Sequence, residues 1–188
     1  MQIFEPIIRE NPKLAEQPVP SAWFDIPTIL KDIIVRFNVT QNKALEFGVE
    51  YGYSTSALAN YFRQLIGVDT FQGDKHSGNK NDHLSLTSNL LKDWENILLV
   101  QSDYKDFIND NNDYYDLIHI DIVHDYEPTY ECGEWAINHS KVTIFHDTES
   151  FSEVKHVCLD LSEKYNVEFY NYPHSHGLGI LVNNHINL

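Results

Sequence analysis

Glu46-Phe47-Gly48-Val49-Glu50-Tyr51-Gly52-Tyr53-Ser54 is the stretch on which the reading of this chain turns. Its first two residues end a short strand pattern at 44–47, Ala-Leu-Glu-Phe, and its last opens a helical pattern at 54–64. Strand, glycine loop and helix in that order make a ligand site in a parallel α/β sheet. The glycines let the backbone turn and approach, and the helix aims its free N–H groups at the same crevice. A dinucleotide-binding loop would read GxGxxG, yet Glu50 stands where the second glycine belongs and its charge opposes a pyrophosphate. The loop reads E-x-G-x-x-x-G instead, which suits a ligand with a cationic or zwitterionic centre and no phosphate.

Outward from this loop the pattern alternates. Strands at 65–69, 97–101, 117–120 and 142–145 interleave with helices at 84–94, 104–108, 128–138 and 152–165. Two last strands, 167–170 and 178–182, are joined by a turn at 171–177 that suits an antiparallel hairpin. Strict β/α alternation predicts an α/β, Rossmann-like, doubly wound and mostly parallel sheet with helices on both faces. Ahead of the loop, Ile26, Ile29, Leu30, Ile33, Ile34 and Phe37 mark a packing helix over 23–37, with Pro27 tolerable in its first turn. Pro6, Pro12, Pro18 and Pro20 predict an arm laid over the domain or over a partner, a route to a homo-oligomer. Residues 1–38 thus read as arm and packing helix, 40–182 as ligand-binding core, and 1–188 as one domain. A chain of this length can bury roughly 70% of its unfolded surface.

The charge excludes whole classes of partner. With 28 acidic and 13 basic side chains the net charge is −15, and no basic run exists to hold a phosphate backbone or an anionic membrane. No apolar stretch approaches the roughly 20 residues that span a bilayer, and residues 1–10 alternate in charge, so the expectation is a cytoplasmic protein. Cys132 and Cys158 stand far apart in no CxxC spacing, which predicts reduced, partly buried thiols and no zinc site.

Carboxylates recur at strand ends. Asp69 closes the second strand about twenty residues past the glycine loop, where a ribose diol would be read by two hydrogen bonds. Asp103 follows the third strand, beside the adenine end of such a nucleoside. Asp121 ends the fourth strand and Asp147 the fifth, so both open onto the same crevice. Convergent carboxylates form either a cation site or a repulsive pair; a hard cation such as Mg²⁺ neutralises them and acidifies a bound hydroxyl. His124, three residues past Asp121 and with a reference pKa of roughly 6.5, suits the acceptance of that proton. The alternatives are a metal-free hydrogen-bonded cluster at Asp121, His146 and Asp147, and ordinary backbone-capping roles for Glu46 and Asp69.

The stretch from Glu46 to Ser54, with Asp69, resembles the first two motifs of class I S-adenosylmethionine-dependent methyltransferases. Gly67-Val68-Asp69-Thr70-Phe71-Gln72-Gly73-Asp74-Lys75-His76-Ser77-Gly78 is similar to one branch of them. So are Asp116-Leu117-Ile118-His119-Ile120-Asp121 with His124 and Tyr126-Glu127, and then Phe145-His146-Asp147-Thr148. That branch includes macrocin-type sugar O-methyltransferases and proteins named after cephalosporin hydroxylase, and the likeness covers about residues 40–182. The resemblance implies S-adenosylmethionine held by Glu46, Gly48, Glu50, Gly52, Ser54, Asp69, Thr70, Asp103 and Asp121. It implies a divalent metal on Asp121, His146 and Asp147, with His124 as base, and a small hydroxylated acceptor or sugar. Two positions depart from the branch. Ile122-Val123 stands where Gly-Asp is usual, and His146 replaces an acid, giving a softer site that accepts Mn²⁺, Fe²⁺ or Zn²⁺ more readily than Mg²⁺.

The other histidines carry weaker signals. His76 and His83 flank a polar loop that could close over a ligand, His119 reads as a core residue, and His174 and His176 belong to a turn. Tyr104, Tyr114 and Tyr115 read as packing and rim residues. The order Ser54, Asp147, His174 matches an α/β-hydrolase, but Ser56 stands where a nucleophile elbow needs glycine. A non-catalytic S-adenosylmethionine-binding sensor or assembly module is the competing reading from outside enzymology, and binding without turnover would distinguish it.

Overall fold

The computed structural model describes residues 1–73 and 82–185. Its strands are β1 (Gln2–Ile3), β2 (Lys43–Phe47), β3 (Gln64–Asp69), β4 (Ile97–Gln101), β5 (Tyr115–Ile120), β6 (Ser140–His146), β7 (Glu168–Tyr172) and β8 (Leu178–Val182). They form one sheet in the order β1-β7-β8-β6-β5-β2-β3-β4. All neighbours run parallel except β8, which is antiparallel to both β6 and β7. The fold is the α/β, Rossmann-like one read from the alternation, with the hairpin in place at the C-terminal end.

The helices are α1 (Ile26–Arg36), α2 (Tyr53–Ala59), α3 (Leu84–Leu90), α4 (Tyr104–Asp110), α5 (Tyr126–His139) and α6 (Ser152–Tyr165). Successive side chains of a strand point to opposite faces, so each central strand feeds two cores. Ala44, Leu117, Ile144 and Ile180 pack on the α1 and α2 side. Their neighbours Leu45, Ile118, Phe145 and Leu181 pack under α5 and α6. In α1 the buried stripe Ile26, Ile29, Leu30, Ile33 and Ile34 has the helical period, and each such burial contributes about 1.5–3 kcal/mol. Cys132 and Cys158 are free thiols in the second core, where burial pushes both well above the ordinary thiol range.

The proline-rich arm lies on its own domain. Phe4 is buried, and the arm's backbone N–H groups donate to partners on the helices it crosses: Ile7 to Asp32, Lys13 to Asn60 and Ala15 to Ser56. Asp32, itself buried in α1, also accepts from Arg36 at 2.5 Å, so the arm closes over a neutralised carboxylate. β1 is absent from the sequence reading because a two-residue strand ahead of the first proline has no period to detect.

Two helices stop earlier than their patterns suggest. The 54–64 pattern ends at Ala59, because the Asn60 side chain donates to the Ser56 and Ala57 carbonyls and the chain then turns so that Gln64 pairs with Lys43. The 84–94 pattern ends at Leu90, after which Trp94 caps a turn with a bond to the Leu91 carbonyl. Among the described residues no helix is long and apolar enough to cross a membrane. His76 and the 74–78 part of the second motif lie outside the described residues.

Candidate active site

The carboxyl ends of β2, β3, β5 and β6 open into a cleft of about 740 Å³. Gly48, Glu50, Ser54, Asp69, Thr70, Asp103, Asp121, His124, His146 and Asp147 all line it. The order of strands β5 and β3 on either side of β2 makes this the switch point of the sheet, where such folds bind ligands.

At one end the glycine loop is held by Asp69. Its Oδ2 accepts from the Val49 and Glu50 N–H groups at 2.8 and 2.9 Å, and Oδ1 accepts from Phe71 N–H at 2.7 Å. A carboxylate has about four acceptor sites, so Asp69 shapes the loop and keeps capacity for one hydroxyl of a ligand. Gly48 is required by an approach the sequence does not advertise. Its φ is 87°, and a Cβ there would stand 1.8 Å from the carbonyl oxygen of Asp121. Asp103 caps α4 through Lys105 N–H at 2.9 Å and lines the cleft.

Two expected ligand residues stand outside the cleft wall. Glu46 is fully buried beneath it, one oxygen accepting from the Thr55 hydroxyl and the other lying 2.9 Å from His119 Nδ1. That arrangement makes Glu46 a support of the floor, and His119 the core histidine its alternation suggests. Gly52, at φ 82°, is the left-handed residue that starts α2, and a Cβ on it would meet the Leu91 side chain at 2.7 Å. Its glycine serves the turn and the packing of Leu91, a protein contact and not an opening for ligand. His174 is exposed against Tyr172 and does not line the cleft, so the hydrolase order of residues is not assembled.

The other end of the cleft holds four titratable groups. His124 Nε2 lies 2.9 Å from Asp147 Oδ2 and 3.4 Å from Asp121 Oδ1. One donor atom each from Asp121, His124 and Asp147 falls within 4.8 Å of the others, a spacing that could hold an ion. His146 Nε2 donates to the Ser175 carbonyl at 3.1 Å, so that nitrogen carries a hydrogen. Its Nδ1 therefore faces Asp121 Oδ2 at 3.2 Å and Asp147 Oδ2 at 3.6 Å, close enough for charge attraction but not aligned for a hydrogen bond. The set expected from sequence, Asp121, His146 and Asp147, is thus widened: His124, read as a base, sits between the carboxylates where a ligand would.

Electrostatics follow from this packing. Burial works against a charged His124, yet its hydrogen bonds to Asp121 and Asp147 prevail and raise its pKa to about 9. His146 is raised as well: burial opposes it and the attraction of Asp121 and Asp147 outweighs that. Burial would raise Asp121, but His146 and His124 hold it far below the usual carboxylate range. Without an ion, the two imidazoles supply the positive charge that the carboxylates need.

Sequence reasoning singled out no residue on part of the wall. Gln17, Ser21, Ala22 and Trp23 line the cleft from the arm, and Phe151 stacks on His124 at 4.1 Å between centroids and 8° between planes. The available signal was a large aromatic, Trp23, in an irregular stretch just ahead of a helix.

A family model described as a methyltransferase domain matches residues 45–148, from the middle of β2 through Thr148. No curated protein matches the sequence. Solved structures share the fold. A Staphylococcus aureus structure assigned as a caffeoyl-CoA O-methyltransferase aligns at a TM-score of 0.64 and 16% identity, over 89% of this chain and 86% of that one. The Bacillus cereus O-methyltransferase in complex with SAH aligns at 0.55 and 18%, over 80% and 78%. The N-methyltransferase NodS of Bradyrhizobium japonicum aligns at 0.55 and 15%, over 79% and 90%. O- and N-directed enzymes appear together, so the fold leaves the acceptor atom to the site. The family match spans the glycine loop, Asp69, Asp103, Asp121 and the His146-Asp147 pair, and on it the chain belongs to the methyltransferase-domain family.

Proposed function

We propose that this chain transfers a methyl group from S-adenosylmethionine to a hydroxyl oxygen of a small acceptor, at a site able to hold a divalent cation. The observation that carries the reading is the convergence of Asp121, His124, His146 and Asp147 at one end of a cleft whose other end is the Asp69-supported glycine loop. The loop end suits the nucleoside and amino-acid parts of the donor. Asp69 has room for a ribose hydroxyl, Ser102 and Asp103 would border the base, and Glu50 would offer negative charge to an ammonium group. SAH in the Bacillus cereus relative supports this donor.

The donor set fits a cation on its chemistry. Two carboxylates and an imidazole come within reach of one point, and His146 Nδ1, a buried polar atom without a hydrogen-bond partner, faces the same pair. When bound there, the cation would polarise the acceptor hydroxyl and make its proton easier to remove. Asp121 and Asp147 orient that hydroxyl, and Phe151 fixes the His124 ring by stacking. His124 cannot be ligand and base at once. Its position between the carboxylates favours the ligand role, which Nδ1 of His146, facing the same pair, would share. Positioning does most of the remaining work, since a sulfonium is already a good leaving group.

The cluster also stands without an ion, because the carboxylates favour the charged form of both histidines. That observation supports a second reading, a metal-free methyltransferase or a binding module. A labelled-methyl screen of sugars, phenols and other small hydroxylated compounds, with and without exhaustive chelation, separates the three. Turnover lost on chelation and restored by Mn²⁺ supports the proposal; turnover indifferent to chelation supports the metal-free enzyme; donor binding with no turnover supports the module.

A further inference from the structure

The turn between β7 and β8 does more than join them. Ser175, His176 and Gly177 follow one another with φ of 51°, 67° and 93°, so two non-glycine residues are held in the left-handed region. Such a run persists only where its surroundings fix it. Here the fixing comes from both sides. Asp147 N–H donates to the Gly177 carbonyl at 2.9 Å, and Glu149 N–H to the His176 carbonyl at 2.8 Å, which ties the turn to the end of β6. On the other side the Ser175 hydroxyl donates to Asp25, the residue ahead of α1, which also accepts from the Tyr172 hydroxyl and pairs with Arg9 at 3.4 Å. The result is that the Ser175 carbonyl points at His146 Nε2.

We propose that Ser175 and Asp25 are positioning residues for the acidic cluster: Asp25, at the junction of arm and packing helix, holds Ser175, and the Ser175 carbonyl fixes the ring and tautomer of His146. The link is a chain of contacts from Asp25 through Ser175 to His146 and on to Asp121. With Nε2 committed to a carbonyl, only Nδ1 is left to face Asp121 and Asp147, whatever occupies the space between them. Outer-shell hydrogen bonds of this type orient imidazoles at metal sites and change metal affinity when removed. The role in metal affinity rests on the proposed function; the role in fixing the ring does not.

Ser175→Ala removes the hydroxyl but leaves the carbonyl in the chain, and Asp25→Ala removes the acceptor. The ring N–H of His146, buried and bonded to a carbonyl, should give a protected proton resonance in the wild-type protein. In either variant its hydrogen exchange should accelerate at least tenfold. Asp25→Asn, which keeps an acceptor oxygen for the Ser175 hydroxyl, should keep the slow rate. Mn²⁺ affinity, measured by calorimetry, should fall about tenfold in Ser175→Ala. SAH affinity should stay within about twofold of wild type, since the glycine loop is at the far end of the cleft. If Asp25→Ala does not fold, Ser175→Ala with Asp25→Asn as its control decides alone. Unchanged exchange at His146 in Ser175→Ala overturns the proposal. A wild-type protein that binds neither Mn²⁺ nor SAH overturns the proposed function instead, and the exchange rates still decide the link.

Discussion

His124 Nε2 lies 2.9 Å from Asp147 Oδ2 and 3.4 Å from Asp121 Oδ1, against both of the carboxylates that would hold an ion. The imidazolium is in effect a substitute for a cation, and this competition gives the site a pH dependence with a definite sign.

In chelated protein, the pKa of His124 is raised from an ordinary value of roughly 6.5 to about 9. A raised folded value means the protonated ring stabilises the fold fully below about pH 6.5, and that this contribution, at most about 3 kcal/mol, is lost as pH rises through about 9. The melting temperature of chelated wild type should fall across that window, while His124→Gln, lower at the start, should fall much less. Saturating Mn²⁺ should flatten the wild-type profile. Parallel profiles for wild type and variant would show that the ring does not carry this charge.

The two loop glycines should fail in different ways. Gly48→Ala places a methyl on the Asp121 carbonyl, a backbone atom that cannot swing aside, so the expected cost exceeds about 3 kcal/mol and SAH affinity is lost with it. Gly52→Ala meets only the flexible end of Leu91, so about 1–2 kcal/mol is expected from its left-handed φ and the contact together. Adding Leu91→Ala should relieve the contact part. Urea denaturation of the single and double variants checks both, and no coupling between positions 52 and 91 would contradict the packing account.

Trp23 belongs to the core and to the cleft wall at once. Its removal to alanine should cost about 3–5 kcal/mol, as for a buried large aromatic. The informative variant is Trp23→Phe, which keeps most of the packing. Once an acceptor is found, KM for that acceptor should change by several-fold while SAH affinity remains as in wild type. A change confined to SAH would move Trp23 to the donor end.

Much of this was legible because it follows from period and strand-end placement. The strands around Leu45, Ile118 and Ile144 are short apolar runs, and parallel order follows from the helices between them. Asp69, Asp121 and Asp147 were found because a parallel sheet brings the carboxyl ends of its strands together. What was not legible depends on contacts far apart in sequence. Glu46 looks like a ligand residue until His119, 73 positions on, is seen to take its oxygen. Gly52 looks like a cofactor contact until Leu91 fills the space beside it. His124 and His146 differ in what holds their rings, the Phe151 ring for one and the Ser175 carbonyl for the other, and no spacing along the chain carries that information.

Calorimetric titration with SAH, with NAD as the parallel ligand, tests the central claim most directly. The account predicts one SAH bound per chain, with the heat greatly reduced in Asp69→Ala, whose lost carboxylate takes with it both the ribose partner and the anchor of the Val49 and Glu50 N–H groups. NAD should give no saturable heat, because Glu50 opposes its pyrophosphate. No binding of SAH by the folded wild-type protein, or tighter binding of NAD, would contradict the assignment of this cleft to a methyl donor.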